Sequence, residues 1–151
     1  RYFVDFGPGM LAGFLGAGVN PVPDTVWFSP PREVAARDLH LAWDEANPWW
    51  RRVERVTRVA AEAWGGRVQV SHTDLGGNLD VLASFRTTEG LLLDLYDAAE
   101  EVERLAGEVT RAWLHAYDLL CGIIRPACPG TVPWAPIWSE GKPAPRSNLV
   151  A

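Results

Sequence analysis

An α/β plan with parallel strands and long outer helices is what this sequence predicts. Two long stretches, Pro48 to Trp64 and Glu100 to Ile124, repeat apolar residues at helical spacing. Short apolar runs of β-forming residues lie between and before them, at Tyr2 to Val4, Leu39 to Trp43 and Val68 to Ser71. Glycine- and proline-rich turns separate these segments. Helices alternating with short strands imply βαβ units, which carry parallel sheets.

The 151 residues suffice for one domain with a core. Hydrophobic residues at 48% and charged residues at 22% are ordinary for a globular chain. A net charge of −5 lacks the basic footprint of a nucleic-acid binder. No apolar run reaches the roughly 18 residues of a membrane helix, and no basic segment precedes Met10 to Val19 to make it a signal peptide. Cys121 and Cys128 make no disulfide framework, so a reducing, cytoplasmic setting is expected. The chain opens on Arg1, and Lys142 to Ala151 is a Pro-rich, irregular tail. A piece of a longer protein is therefore expected, with residues 1–141 as one body.

Taken in order, Tyr2 to Val4 reads as the end of a strand and Gly7-Pro8-Gly9 as a turn. Leu11, Phe14 and Leu15 fall at helical spacing, and Gly18 is placed to stop that helix. Asn20 to Pro31 reads as a loop holding one extended segment, Thr25 to Phe28. Pro30-Pro31 closes it, because the residue before proline avoids the α region. Leu39 to Trp43 alternates weakly, as a strand does. Asn47 fits a helix N-cap and Pro48 the first helical position. Trp50, Val53, Val56, Ala60 and Trp64 then form one stripe, with Arg51, Arg52, Arg55 and Arg58 across much of the other face. Gly65-Gly66 stop the helix. After the strand Arg67 to Ser71 and a polar turn, Leu79, Leu82, Ala83 and Phe85 give a short helix. Thr88 opens another. Val102, Leu105, Val109, Trp113, Ala116, Leu120 and Ile123 mark the longest. Thr131 to Ser139 reads as a buried strand weakened by two prolines.

The candidate site is the turn after Val68 to Ser71. His72, Asp74, Asn78 and Asp80 fall there around Gly76-Gly77. A strand that delivers titratable groups to a glycine turn, followed by a helix, is how α/β sheets and barrels build sites at strand carboxyl ends. Asp74 and His72 are the candidate catalytic residues. Asp74 and Asp80 are candidates for a carboxylate pair, one accepting N–H hydrogen bonds from a ligand and one orienting it, and His72 is suited to serve as an acid or ligand. Asn78, Asp80, Arg86 and Trp138 are candidate substrate contacts, with Arg86 able to take a carboxylate through two parallel hydrogen bonds. Structural roles stand beside each: Asp74 capping its turn, Asp80 favoured by a helix dipole, Asn78 capping, Arg86 paired with Asp80 or Glu89. The eight tryptophans either line an aromatic cavity or bury in the core. His115 reads as a surface or packed residue. No metal site is expected, since Cys121 and Cys128 have no histidine nearby.

Several segments together resemble the uroporphyrinogen decarboxylase-like superfamily. They are Gly7-Pro8-Gly9 with Leu11 to Gly16, Asp24 to Phe28, Asp74-Leu75-Gly76-Gly77-Asn78-Leu79-Asp80-Val81-Leu82-Ala83, and above all Leu91 to Val102 with its Leu-Tyr-Asp-x-x-Glu-Glu-Val. The resemblance spans about residues 7–139. It implies a (β/α)8 TIM-type barrel, of which this chain would be the N-terminal and middle part. It also implies cofactor-free decarboxylation of a tetrapyrrole or related carboxylate, a small-molecule substrate, no nucleic-acid or membrane partner, and a homodimer of the full-length parent. The superfamily also holds zinc-dependent corrinoid or thiol methyltransferases. Their His-x-Cys pair is absent here, so zinc would come only from parts of the parent outside this chain. The decarboxylases' early arginine pair is not matched, and Val81-Leu82-Ala83 stands where they carry a tyrosine. A non-catalytic protein holding an aromatic ligand between tryptophans is the third expectation.

Overall fold

The structure, a computed structural model, describes residues 2–128 and residue 130. The expected strand at Thr131 to Ser139, Trp138 within it and the tail 142–151 lie outside the described residues.

Strand β1 (Tyr2–Phe3) pairs in parallel with β4 (Val70–Ser71), with Tyr2 opposite Val70 and Phe3 opposite Ser71. The Tyr2 N–H donates to the Gln69 carbonyl at 2.9 Å and the Val4 N–H to the Ser71 carbonyl at 3.0 Å. Between these strands run helix α1 (Leu11–Phe14), the antiparallel ribbon β2 (Gly18–Val22) and β3 (Thr25–Ser29), and helix α2 (Pro48–Trp64). After β4 come α3 (Asn78–Arg86), α4 (Thr88–Asp97) and α5 (Ala99–Ile124). The described residues are thus mixed α/β, mostly helical, with one small parallel sheet. Parallel strands need a long crossover, and the segment carrying α2 supplies it.

Helix α5 follows its stripe, and α2 follows its own in part, since Trp64 is exposed and Val56 only half-buried. In α2, Trp50, Val53, Thr57, Ala60 and Ala61 are buried; in α5, Val102, Leu105, Val109, Ala112, Ala116, Tyr117, Leu120 and Ile124 are. Asn47 caps α2, accepting from the Trp49 N–H at 2.9 Å and the Trp50 N–H at 3.1 Å. Its amide also donates to the Gly13 carbonyl at 3.1 Å, so one side chain starts α2 and ties it to α1. Such a cap is worth about 1 kcal/mol. The main core gathers Met10, Leu11, Phe14, Trp50, Val53, Leu82 and Leu105. Full burial of each such side chain contributes roughly 1.5–3 kcal/mol. A smaller cluster of Val4, Ala60, Val70, Ile124 and Cys128 joins the parallel strands to α2 and α5.

Two expectations are corrected. The segment after α1 is a β-hairpin rather than a loop. Gly16 takes φ +99°, which turns the chain, and Gly18 to Val22 then pair with Thr25 to Ser29. Pro21 is tolerated because a two-stranded ribbon has open edges that need no N–H from it. Leu39 to Trp43 forms no strand. Side chains of α5 satisfy its backbone instead: Arg104 donates to the Ala36 and Leu39 carbonyls at 3.0 Å each, and Glu108 accepts the Leu41 N–H at 2.8 Å.

Candidate functional site

Both parallel strands run into glycine turns, and those turns touch. A Cβ added to Gly76, whose φ is +80°, would meet the Gly9 Cα at 2.8 Å. Only glycine fits there, both for the left-handed backbone and for the approach of a second main chain. The Met10 N–H donates to the Asp74 carbonyl at 3.0 Å and locks the two turns together.

Within this frame Asp74 is half-buried, and its Oδ1 accepts the Gly76 N–H at 2.7 Å. The carboxylate therefore holds its own turn with one oxygen. His72 is half-buried too. Its Nδ1 lies 2.7 Å from the Thr73 carbonyl, an acceptor only, so Nδ1 carries the proton and Nε2 is left with a lone pair. Lost hydration pushes its pKa below the ordinary 6.5, against opposing pulls from the Thr73 carbonyl and the Asp74 charge. The ring is neutral at pH 7.

Helix α5 closes this side. Tyr117 meets the His72 ring edge-on at 5.4 Å, and Trp113 stacks on Tyr117 at 5.2 Å with 17° between planes. The Trp113 indole N–H donates to the Gly76 carbonyl at 3.1 Å. Burial raises the Tyr117 pKa, which keeps the phenol protonated. Trp113 and Tyr117 were not among the expected site residues. Their four-residue spacing on a helix was the available signal.

The other expected contacts are dispersed. Asn78 begins α3 and donates to Thr110 Oγ1 at 2.7 Å. Asp80 is exposed in the first turn of α3. Arg86 pairs with neither Asp80 nor Glu89. Its Nη2 donates to Asp94 Oδ1 at 2.9 Å, its Nε donates to Oδ2, and its Nη1 donates to the Val34 carbonyl. The guanidinium fork is occupied by the α3–α4 corner and one loop carbonyl. His115 is a half-exposed residue 3.5 Å from Glu45 Oε1 and edge-on to Trp43. The Trp43 indole, ahead of His115 and Trp50, holds the Glu45 carboxyl below its ordinary range.

Among the described residues Trp43 and Trp50 meet at 4.9 Å, and the other tryptophans do not gather with them into one cavity. Trp50 is 1% exposed in the core, while Trp27 and Trp64 are 65% and 45% exposed. Among the described residues no three His, Cys, Asp or Glu side chains are grouped to hold a metal ion, and none of the helices is long and apolar enough to cross a membrane.

Two further groups stand at the end of β4. Ser71 is 2% and Thr73 0% exposed, and neither hydroxyl has a hydrogen-bond partner among the described residues. No family model, curated protein or solved structure matches this chain.

Proposed function

We propose that this span is one section of a uroporphyrinogen decarboxylase-like (β/α)8 enzyme that removes a carboxylate, as CO2, from a tetrapyrrole or related substrate. The observation that carries the reading is the parallel β1–α2–β4 unit. Its two strand ends run into touching glycine turns, and Asp74 sits in one of them. Ligands of α/β folds bind at strand carboxyl ends, and the residues there are the ones available for chemistry.

In decarboxylation a proton from solvent first adds to the heterocycle and makes it cationic. The bond from substrate carbon to carboxylate then breaks, its electron pair neutralises the ring, and CO2 leaves. A proton gained at that carbon, with loss of the ring proton, completes the exchange. Asp74 keeps one oxygen on the Gly76 N–H and turns the other to ligand N–H groups, so its charge stabilises positive character developing across a nitrogen heterocycle. His72, neutral and held in one tautomer, offers Nε2 as an acceptor near the same turn. Asp80, exposed, and Arg86, bound to Asp94, take no part.

The test is CO2 release from a tetrapyrrole carboxylate by the complete reading frame containing this span. Asp74→Asn keeps the shape and removes the charge. It is expected to lower kcat by about 100-fold or more, the scale seen when one preorganised electrostatic group is lost. Asp80→Asn is expected to stay within about twofold. Equal rates for wild type and Asp74→Asn would remove Asp74 from the reaction.

A further inference from the structure

The side chains at the end of β4 divide between two faces. Val70 lies in the cluster with Ala60 of α2 and Ile124 of α5, and His72 meets Tyr117 of α5. Both therefore look toward the helices. Extended backbone alternates sides, so Ser71 and Thr73 look the other way. On that opposite face the two hydroxyls are withdrawn from water and unpartnered. A buried hydroxyl without a hydrogen bond costs about 1–3 kcal/mol, and native chains keep such groups where something completes them. The other buried aliphatic hydroxyl, that of Thr57, donates to the Val53 carbonyl at 2.8 Å. The other buried side-chain groups left without a partner among the described residues are the indole N–H groups of Trp43 and Trp50, which belong to large apolar side chains. Alanine or valine at 71 and 73 would carry no such cost. Ser71 ends β4 and Thr73 lies two residues beyond it; at extended spacing their Cα atoms are roughly 6.6 Å from each other. One small polar group between them reaches both.

We infer that Ser71 and Thr73 form a binding site, on the face of β4 turned away from the helices, for an uncharged ligand group that both donates and accepts hydrogen bonds, such as a carboxamide or an alcohol. Each hydroxyl can donate and accept, and a group of that kind satisfies both. Charge is selected against. The Asp74 carboxylate is the residue next to Thr73 and repels an anion. A cation would need an acceptor set, and one Asp74 oxygen is already committed to Gly76. The hydroxyls are covered in this structure, so a guest enters only with local opening. The site deepens the decarboxylase reading by assigning an uncharged part of the substrate to this wall, yet binding here does not depend on turnover.

The experiment is methyl NMR on threonine-labelled protein, with acetamide, acetate and methylammonium as probes. They are similar in size and differ in charge. Acetamide is expected to shift the Thr73 methyl in a saturable way, at concentrations at least tenfold below either charged probe. The Ser71→Ala/Thr73→Val double variant is expected to lose the acetamide response, read at Val70 and Val81 methyls in valine-labelled protein. It is also expected to melt a few degrees higher, because two unpartnered hydroxyls are gone. Equal response to acetate, a response that survives in the double variant, or a lower melting midpoint overturns the assignment. Acetamide binding with no decarboxylation of any tetrapyrrole would leave this site standing and remove the proposed reaction.

Discussion

His72 shows how one side chain joins fold, pH response and site. Its Nδ1 proton is committed to the Thr73 carbonyl, and its ring is wedged against Tyr117. Burial depresses its pKa below 6.5. The unfolded chain, with the ordinary value, binds a proton first as pH falls. Stability linked to His72 is therefore complete above pH 6.5 and drains away as pH drops from 6.5 through the folded value. Each unit of depression corresponds to about 1.4 kcal/mol. His72→Asn keeps an N–H for the Thr73 carbonyl and cannot titrate. Urea unfolding at pH 7.5 and at pH 5.5 is expected to show a smaller difference in stability for His72→Asn than for wild type. An equal difference in the two proteins would mean that the imidazole is no harder to protonate in the fold than in the open chain.

The joint between α3 and α4 is strained, and side chains on both helices hold it. Thr87 has φ +65° and ψ 159°, a combination that a β-branched residue rarely adopts and that costs about 1–3 kcal/mol. The Arg86–Asp94 pair clamps the corner from one side, and Thr87 Oγ1 accepts the Gly90 N–H at 3.1 Å to cap α4. Thr87→Gly removes the strain and gives up the cap, and glycine is only a few tenths of a kcal/mol worse than threonine as a cap. The variant is expected to be about 1 kcal/mol more stable in urea titration; a loss of stability would show that the cap outweighs the strain. The same joint marks how far the sequence could be read. Asn47-Pro48, Gly65-Gly66 and Thr88 announced helix boundaries because capping and turn chemistry are local. The stripes of α2 and α5 were legible because one face of each is buried. The hairpin was hidden, since its prolines argued for a loop and its pairing joins residues that no local pattern links. The missing strand at Leu39 to Trp43 was decided by Arg104 and Glu108, more than sixty positions away on α5. At the site, the glycine turn and Asp74 were readable. The Asp94 partner of Arg86 and the ring ladder from Trp113 to His72 were not, because they depend on how α4 and α5 come to lie.

For the molecule as a whole, the apolar surface is uneven. Helix α5 hides most of its stripe, but α4 buries only Leu91. Leu92 and Leu93 are 63% and 64% exposed, Leu95 45%, and Tyr96 91%. Four large apolar side chains along a helix of ten residues make a patch of the kind that monomers seldom leave bare. Removing that surface from water gains roughly 25 cal/mol per Å², so self-association is expected as protein concentration rises. The net charge of −5 opposes it only weakly, because screening at about 0.15 M salt limits repulsion to roughly 8 Å. The Leu92→Glu/Leu93→Lys double variant keeps the net charge, uses two good helix formers and breaks the patch. Sedimentation velocity is expected to show wild type shifting to faster species with concentration, while the double variant stays at one value. Added salt should leave the wild-type shift intact or strengthen it, as apolar contact requires. If the double variant associates as wild type does, the surface of α4 is not the cause, and the exposed rings of Trp27 and Trp64 become the next to replace.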